Sequence, residues 1–343
     1  MLRVGDILSG LLEWAPASLA WERDNIGLLI GSPDREVERV LVCLDVTEAV
    51  AREAVERGAQ CIVAHHPLIF HPLKSIRTDT ARGRLIEMLL RERISVIAMH
   101  TNADAARGGL NAELAAVLGL EHPRRLDMPK GMLRKLVLRI AGGATVADDI
   151  AHILGHVPDC TWSSHALTEG YAVEVLAPAF RLGDIQSVLI RELGAALRDH
   201  HVLSVEGALP GYGIGVAGEL SDALPVRDFL ARVKERLGCA SLRTTPFDEA
   251  MNVRRVAVSS GAGSSYVQAA IAAGAEVLVT GDLSHHVFLD SADDILLVDA
   301  GHYETEQLFI RICAEELRRR FFDGKQKIDI LHTRTDTNPV WFM

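Results

Sequence analysis

Short apolar, β-branched runs alternate with amphipathic stretches of roughly 10–12 residues through the first 125 positions, and this alternation restricts the fold more than any other feature. VERVLVCLDV (37–46) reads as a buried strand and TEAVAREAVERG (47–58) as a helix closed by glycine. CIVA (61–64) is then a strand, RGRLIEMLLRER (82–93) a helix, ISVIAM (94–99) a strand and LNAELAAVLGL (110–120) a helix. Such an order requires βαβ crossovers and hence a parallel sheet. The rhythm returns after about residue 250, with strands predicted at RRVAVSS (254–260), EVLVT (276–280) and DILLVDA (294–300). A helix is predicted at YVQAAIAAG (266–274), and one long helix at ETEQLFIRICAEELRRR (304–320). Residues 1–131 and 210–343 therefore read as two halves of one α/β main domain with a mostly parallel sheet. Between them, 132–209 follow the order β-α-β-β-α-β of a ferredoxin-like α+β insert. The glycine-rich GYGIGVAGEL (211–220) leads into a further helix at PVRDFLARVKERLG (225–238).

Composition narrows the class of protein. With 343 residues and 48% hydrophobic residues the chain can build a large core without disulfides, and its five cysteines form no CxxC pair. No segment approaches the roughly 18 apolar residues of a membrane span, and MLRVGDILSGLLEW is an acidic amphipathic helix rather than a leader, so a soluble, cytoplasmic protein is expected. The net charge of −10 opposes sequence-independent binding to nucleic acid. The locally basic RICAEELRRRFFDGKQK is read as a helix end, where cations suit the macrodipole.

In parallel sheets, ligands gather beyond the carboxyl ends of the strands. Here those ends carry metal-competent residues one after another. CIVA runs into His65 and His66, ISVIAM into His100 and Asp104, EVLVT into Asp282 with His285 and His286 beyond, and DILLVDA into His302 and Glu306. Adjacent histidines diverge and can reach two neighbouring ions. His302 and Glu306, four residues apart, share a helix face, whereas Glu304 points elsewhere. Three imidazoles and two carboxylates thus converge on one edge of one sheet: His65, His66, Asp104, His302 and Glu306. This mixed nitrogen and oxygen set suits two divalent ions of zinc, iron, manganese or cobalt, and open coordination positions would leave room for chemistry. His100, or less favourably His286, could serve as a general base.

Other features carry less. Asp24 and Asn25 could brace ligand residues or only shape a turn. The turn from Gly261 to Ser265 could hold an anion, but short glycine turns are common. His71, His122, His152, His156, His165, His200, His201 and His332 have no carboxylate at useful spacing and read as structural or surface residues. Neither GxSxG nor GxxxxGK[ST] is present, which removes the serine-hydrolase elbow and the P-loop.

At AHHPLIF, HTNADAARGGLN, VTGDLSHH and DAGHYETE the chain resembles the Nif-three-like proteins, also labelled GTP cyclohydrolase type 2 homologues or, in part, domain of unknown function 34. The resemblance covers residues 1 to about 125 and about 211 to 335. It implies the same five ligands, His65, His66, Asp104, His302 and Glu306, with Ala103 standing where many members carry leucine. It also implies a long form with a ferredoxin-like insert similar to nitrogen-regulatory signalling proteins, and a homo-oligomer, a toroidal hexamer with the metal sites facing its cavity. Two functions stay open. One is a metal-dependent hydrolase, of cyclohydrolase or phosphoesterase type, acting on a nucleotide-like small molecule. The other is a non-enzymatic, metal-responsive binding or chaperoning ring.

Overall fold

The computed structural model describes residues 1–142, 144–155, 157, 159–321, 328–341 and 343, with the backbone alone at 144–149. His156 and the 322–327 part of the basic stretch lie outside the described residues. The chain divides into two compact units, Met1–Asp127 with Gly211–Met343, and Met128–Pro210.

The first unit is an α/β fold. Its first half contributes β1 (Leu2–Arg3), β2 (Gly27–Ile30), β3 (Glu36–Val37), β4 (Arg39–Cys43), β5 (Cys61–Ala64), β6 (Ser95–Ala98) and β7 (Leu120–Asp127). The second unit holds β8 (Leu133–Ile140), β9 (Thr161–Leu167), β10 (Gly170–Pro178) and β11 (Leu197–Val205). The chain then returns with β12 (Ile214–Pro225), β13 (Arg243–Thr244), β14 (Asn252–Ala262), β15 (Val277–Gly281), β16 (Leu296–Asp299) and β17 (Asp329–His332).

The parallel strands are shared between two sheets rather than gathered in one. One has the order β17-β4-β5-β6-β2 and the other β13-β16-β15-β14-β12-β7. In the first, β17, β4, β5 and β6 run parallel and β2 closes the edge antiparallel. In the second, β14, β15 and β16 run parallel, flanked by antiparallel β12 and β13. A small antiparallel pair joins β1 to β3. Every residue of β5, β6, β15 and β16 is buried, as expected of central strands covered on both faces. Strand β12 takes up the glycine-rich stretch ahead of the Val226–Leu237 helix, and β7 the end of the predicted 110–120 helix.

Helix ends follow local chemistry. The Glu48–Glu56 helix starts where Thr47 accepts a hydrogen bond from the Val50 amide at 3.2 Å, and Ala81–Arg91 where Thr80 accepts one from Gly83 at 3.1 Å. The Val226–Leu237 helix ends on Gly238 at φ 70°, a left-handed cap that suits glycine. The long helix predicted at 304–320 is two helices, His302–Glu306 and Leu308–Phe321. Its arginines are engaged: Arg319 and Arg320 pair with Glu316, and Arg318 donates to the Ile330 carbonyl.

Each sheet builds its own core. Leu41, Ile62, Val96 and Leu89 pack on the first. Val256, Val258, Val277, Val279 and Phe229 pack on the second. The second unit is antiparallel throughout, in the order β11-β8-β10-β9, with helices Ala144–Gly155 and Leu182–Leu193. Leu136, Leu138, Val173 and Val175 form its core with Ile150 and Leu189. This is a ferredoxin-like arrangement.

Candidate metal centre

Four strand ends build the centre, drawn from both sheets of the first unit. Strand β5 delivers His65 and His66 directly, and β4 delivers Asp45 two residues past its end. Beyond β6, His100 stands at the start of the short Thr101–Ala105 helix that carries Asp104. Beyond β16, Gly301 at φ 96° turns the chain into the His302–Glu306 helix. A side chain at Gly301 would strike the Glu304 carboxylate at 2.0 Å, so this turn requires glycine.

The ring nitrogens are set by their partners. His66 Nδ1–H donates to Asp45 at 2.9 Å and His302 Nδ1–H to Asp282 at 2.7 Å. His100 Nδ1–H donates to Asp24 at 2.8 Å, and His65 Nδ1–H to the Met99 carbonyl at 2.8 Å. Carboxylates and carbonyls only accept, so all four rings carry a proton on Nδ1 and turn Nε2 toward the centre. There His66 Nε2 and His302 Nε2 lie 3.3 Å apart. Glu306 Oε2 sits 2.9 Å from the first and 3.0 Å from the second. His65 Nε2 is 3.6 Å from Asp104 and 3.7 Å from Glu306.

Both His65 Nε2 and Glu306 Oε2 are buried without hydrogen-bond geometry to any partner. With each Nδ1 carrying its proton, the close Glu306 contacts set lone pairs against lone pairs whenever the imidazoles are neutral. Such an arrangement is costly unless a cation or protons lie between. Proton affinities show the same field. Burial opposes charge on His66, but Asp45 and Glu306 raise its pKa to about 10. Glu306 foremost, then Asp282, raises His302 to about 9. Burial raises Glu306 in turn, yet the His65, His302 and His66 rings hold it well below the carboxylate range. Burial pushes Asp104 up. Burial also works against charge on Asp24, but His100 and Thr101 hold it down to about 2.

Among the described residues, two groups have ligand atoms within 4.8 Å of one another: His65, His66 and His100, and His66, His302 and Glu306. A divalent cation fits these residues on the chemistry of the donors and on the orphaned atoms of His65 and Glu306. Asp104 adjoins the first group through His65, and Ser260 donates to its Oδ1 at 3.4 Å. Asn111 ties both down, donating to Ser260 Oγ at 3.1 Å and the Asp104 carbonyl at 3.3 Å.

The structure amends the sequence reading at several points. The five predicted ligands meet, but across two sheets rather than on one edge of one sheet. His100 stands among the ligand atoms instead of beside them. His286 is exposed on the His285–Ser291 helix and joins neither group. Asp24 grips His100, while Asn25 donates to the Ile69 carbonyl at 2.5 Å and so braces the turn after the histidine pair. Gly261, at φ 58°, is a wall of the centre. A Cβ there would lie 2.2 Å from Glu306 Oε1 and 3.3 Å from His302 Nε2. Sequence reasoning missed Asp45, although VCLDV places it at a strand end like the others. Glu304 turns away from the centre and accepts from Asn338 at 2.9 Å.

An α/β fold in which histidines and carboxylates from several strand ends converge, each ring backed by an acceptor, defines a possible metal-binding protein. The model of the family described as Duf34/NIF3 (NGG1p interacting factor 3) matches residues 2–339, and the chain belongs to that family. It is 32% identical over 96% of both chains to the GTP cyclohydrolase 1 type 2 homolog of Halalkalibacterium halodurans, and equally identical to that of Bacillus subtilis. Among solved structures, a Bacillus cereus protein related to NIF3 superposes with a TM-score of 0.87 at 30% identity, covering 99% of each chain. No helix among the described residues is long and apolar enough to cross a membrane.

Proposed function

We propose that this chain is a divalent-metal-dependent hydrolase acting on a nucleotide-like small molecule, with two ions held by His65, His66, Asp104, His302 and Glu306. The carrying observation is the convergence of the Nε2 atoms of His66 and His302, 3.3 Å apart, on the buried Oε2 of Glu306. The relatives' name, GTP cyclohydrolase 1 type 2 homolog, supports a nucleotide as the substrate class. Divalent ions in such a set act as Lewis acids and bring the ionisation of water toward neutral pH. The chain's own residues do the rest. Asp45 and Asp282 keep the His66 and His302 rings in one tautomer and orientation. His100, held by Asp24, offers Nε2 to receive a proton from the attacking water. A cavity of about 470 Å³ beside His66 and His302 is large enough for a mononucleotide. We further propose a soluble, cytoplasmic protein assembled as a toroidal homohexamer.

His100→Asn separates proton transfer from ligation. If His100 moves a proton, turnover of GTP falls about 10²-fold with metal content unchanged. Loss of metal in that variant would make His100 a ligand, and unchanged turnover would assign it to structure. Absence of turnover on any nucleotide or phosphoester, with the sites full, would replace the hydrolase by a metal-responsive binding ring.

A further inference from the structure

The cavity beside His66 and His302 carries one arginine, Arg243, and no lysine among its described lining residues. Strand register fixes its place. Arg243 on β13 pairs directly with Asp299 at the end of β16, and its Nη2 bonds the Asp299 carboxylate and, at 2.9 Å, the Leu283 carbonyl. The guanidinium carbon stands 5.5 Å from the centre of the Phe288 ring, a cation–π distance. A carboxylate and a carbonyl thus tether Nη2 beside an aromatic ring, while the Arg243 side chain stays 61% exposed. Only Nη2 is used in these bonds, which leaves Nε and Nη1 as donors without a hydrogen-bond partner among the described residues.

The carboxylates around the same cavity are already engaged. Asp45 accepts from His66 and Thr337, Asp282 from His302, and Glu304 from Asn338. Asp299 is buried, and besides Arg243 it takes the amides of Leu283 at 3.0 Å and Gly301 at 3.1 Å. These acids orient protein groups, whereas Arg243 keeps spare donors. A tethered guanidinium with two donors spare matches the oxygens of a phosphate.

We propose that Arg243 is the residue that anchors the phosphate of an organic phosphate in this cavity, while the rest of that molecule extends toward His66 and His302. The assignment rests on the reading of the site as one for a nucleotide-like molecule, and it names the group that recognises the charged end. Arg243 is a positioning residue, so its loss acts on affinity for phosphorylated ligands more than on the chemical step.

The test is calorimetric titration of metal-loaded protein with guanosine 5′-monophosphate and, separately, with guanosine. Wild type is expected to prefer the phosphorylated member. In Arg243→Met that preference falls about 10- to 100-fold, the range for a lost charge-assisted hydrogen bond, while guanosine binding stays within about twofold. Arg243→Lys restores part of it. The double variant Arg243→Met with Asp299→Asn removes the buried carboxylate that the single change would strand, so a failure to fold cannot be mistaken for a failure to bind. An undiminished preference in the folded variants would show that the phosphate is held by the metal centre alone and overturn the assignment. So would a wild type with no preference. Arg243-dependent binding without turnover of any nucleotide would leave the anchor standing and remove the hydrolase reading instead.

Discussion

Glu304 and Glu306 lie on the same short helix and are both buried, yet they face different chemistry. Glu306 Oε2 meets two imidazoles, whereas Glu304 bonds Asn338. Glu306→Gln replaces an anionic oxygen at the centre and is expected to cost about 100-fold or more in metal affinity, while Glu304→Gln changes it less than about threefold. Competition with a chromogenic chelator measures both, and equal losses would move the helix face elsewhere. The i, i+4 spacing of His302 and Glu306 made this pair legible in the sequence, because it needs only local helical geometry. Asp45 and Gly261 were not legible in their roles. The first acts through His66, 21 residues away. The second acts through Glu306 and His302, which only the packing of β14 against the His302–Glu306 helix brings near.

Among the elements, the segment after β17 depends on one carboxylate. Glu53, on the Glu48–Glu56 helix, accepts from Thr333 Oγ1 at 2.6 Å, Thr335 Oγ1 at 2.8 Å and the Arg334 amide at 2.9 Å. Further along, Thr337 donates to Asp45, and Asn338 lines the cavity. Burial raises the Glu53 pKa, but these donors and Arg57 outweigh it and bring the group from 4.5 down to about 2. A folded pKa below the unfolded one means stability that is complete above about pH 4.5 and is lost as pH falls toward 2. At pH 7 Glu53→Gln should cost about 2 to 3 kcal/mol. The difference from wild type in urea unfolding should shrink between pH 4.5 and 3, and a constant difference would place the effect outside ionisation. Strands and their order along the chain were legible from β-branched runs. Their division between two sheets was not, since an apolar run buried on both faces says nothing of which strand will lie beside it.

For the whole molecule, the two units differ in what they contribute. Every residue of the centre and of the cavity belongs to Met1–Asp127 and Gly211–Met343. The chain leaves that unit from β7 and re-enters at β12, and the two strands are antiparallel neighbours with Asp127 opposite Ile214. The two ends to be joined therefore already lie side by side. Replacing 128–210 by a short glycine-serine linker should give a folded protein that keeps its metal affinity within about threefold. An insoluble product, or one without metal, would make the Met128–Pro210 unit part of the fold that builds the centre. The β-α-β-β-α-β order of this unit was readable because each element is short and closed by its own turn.

We propose that His65, His66, Asp104, His302 and Glu306 together hold two divalent ions. Elemental analysis of protein stripped of metal, refilled with zinc and freed of excess by gel filtration tests it directly. Two zinc ions per chain are expected at neutral pH, lost together as the histidines protonate in acid. Fewer than about half an ion per chain in folded protein would contradict it.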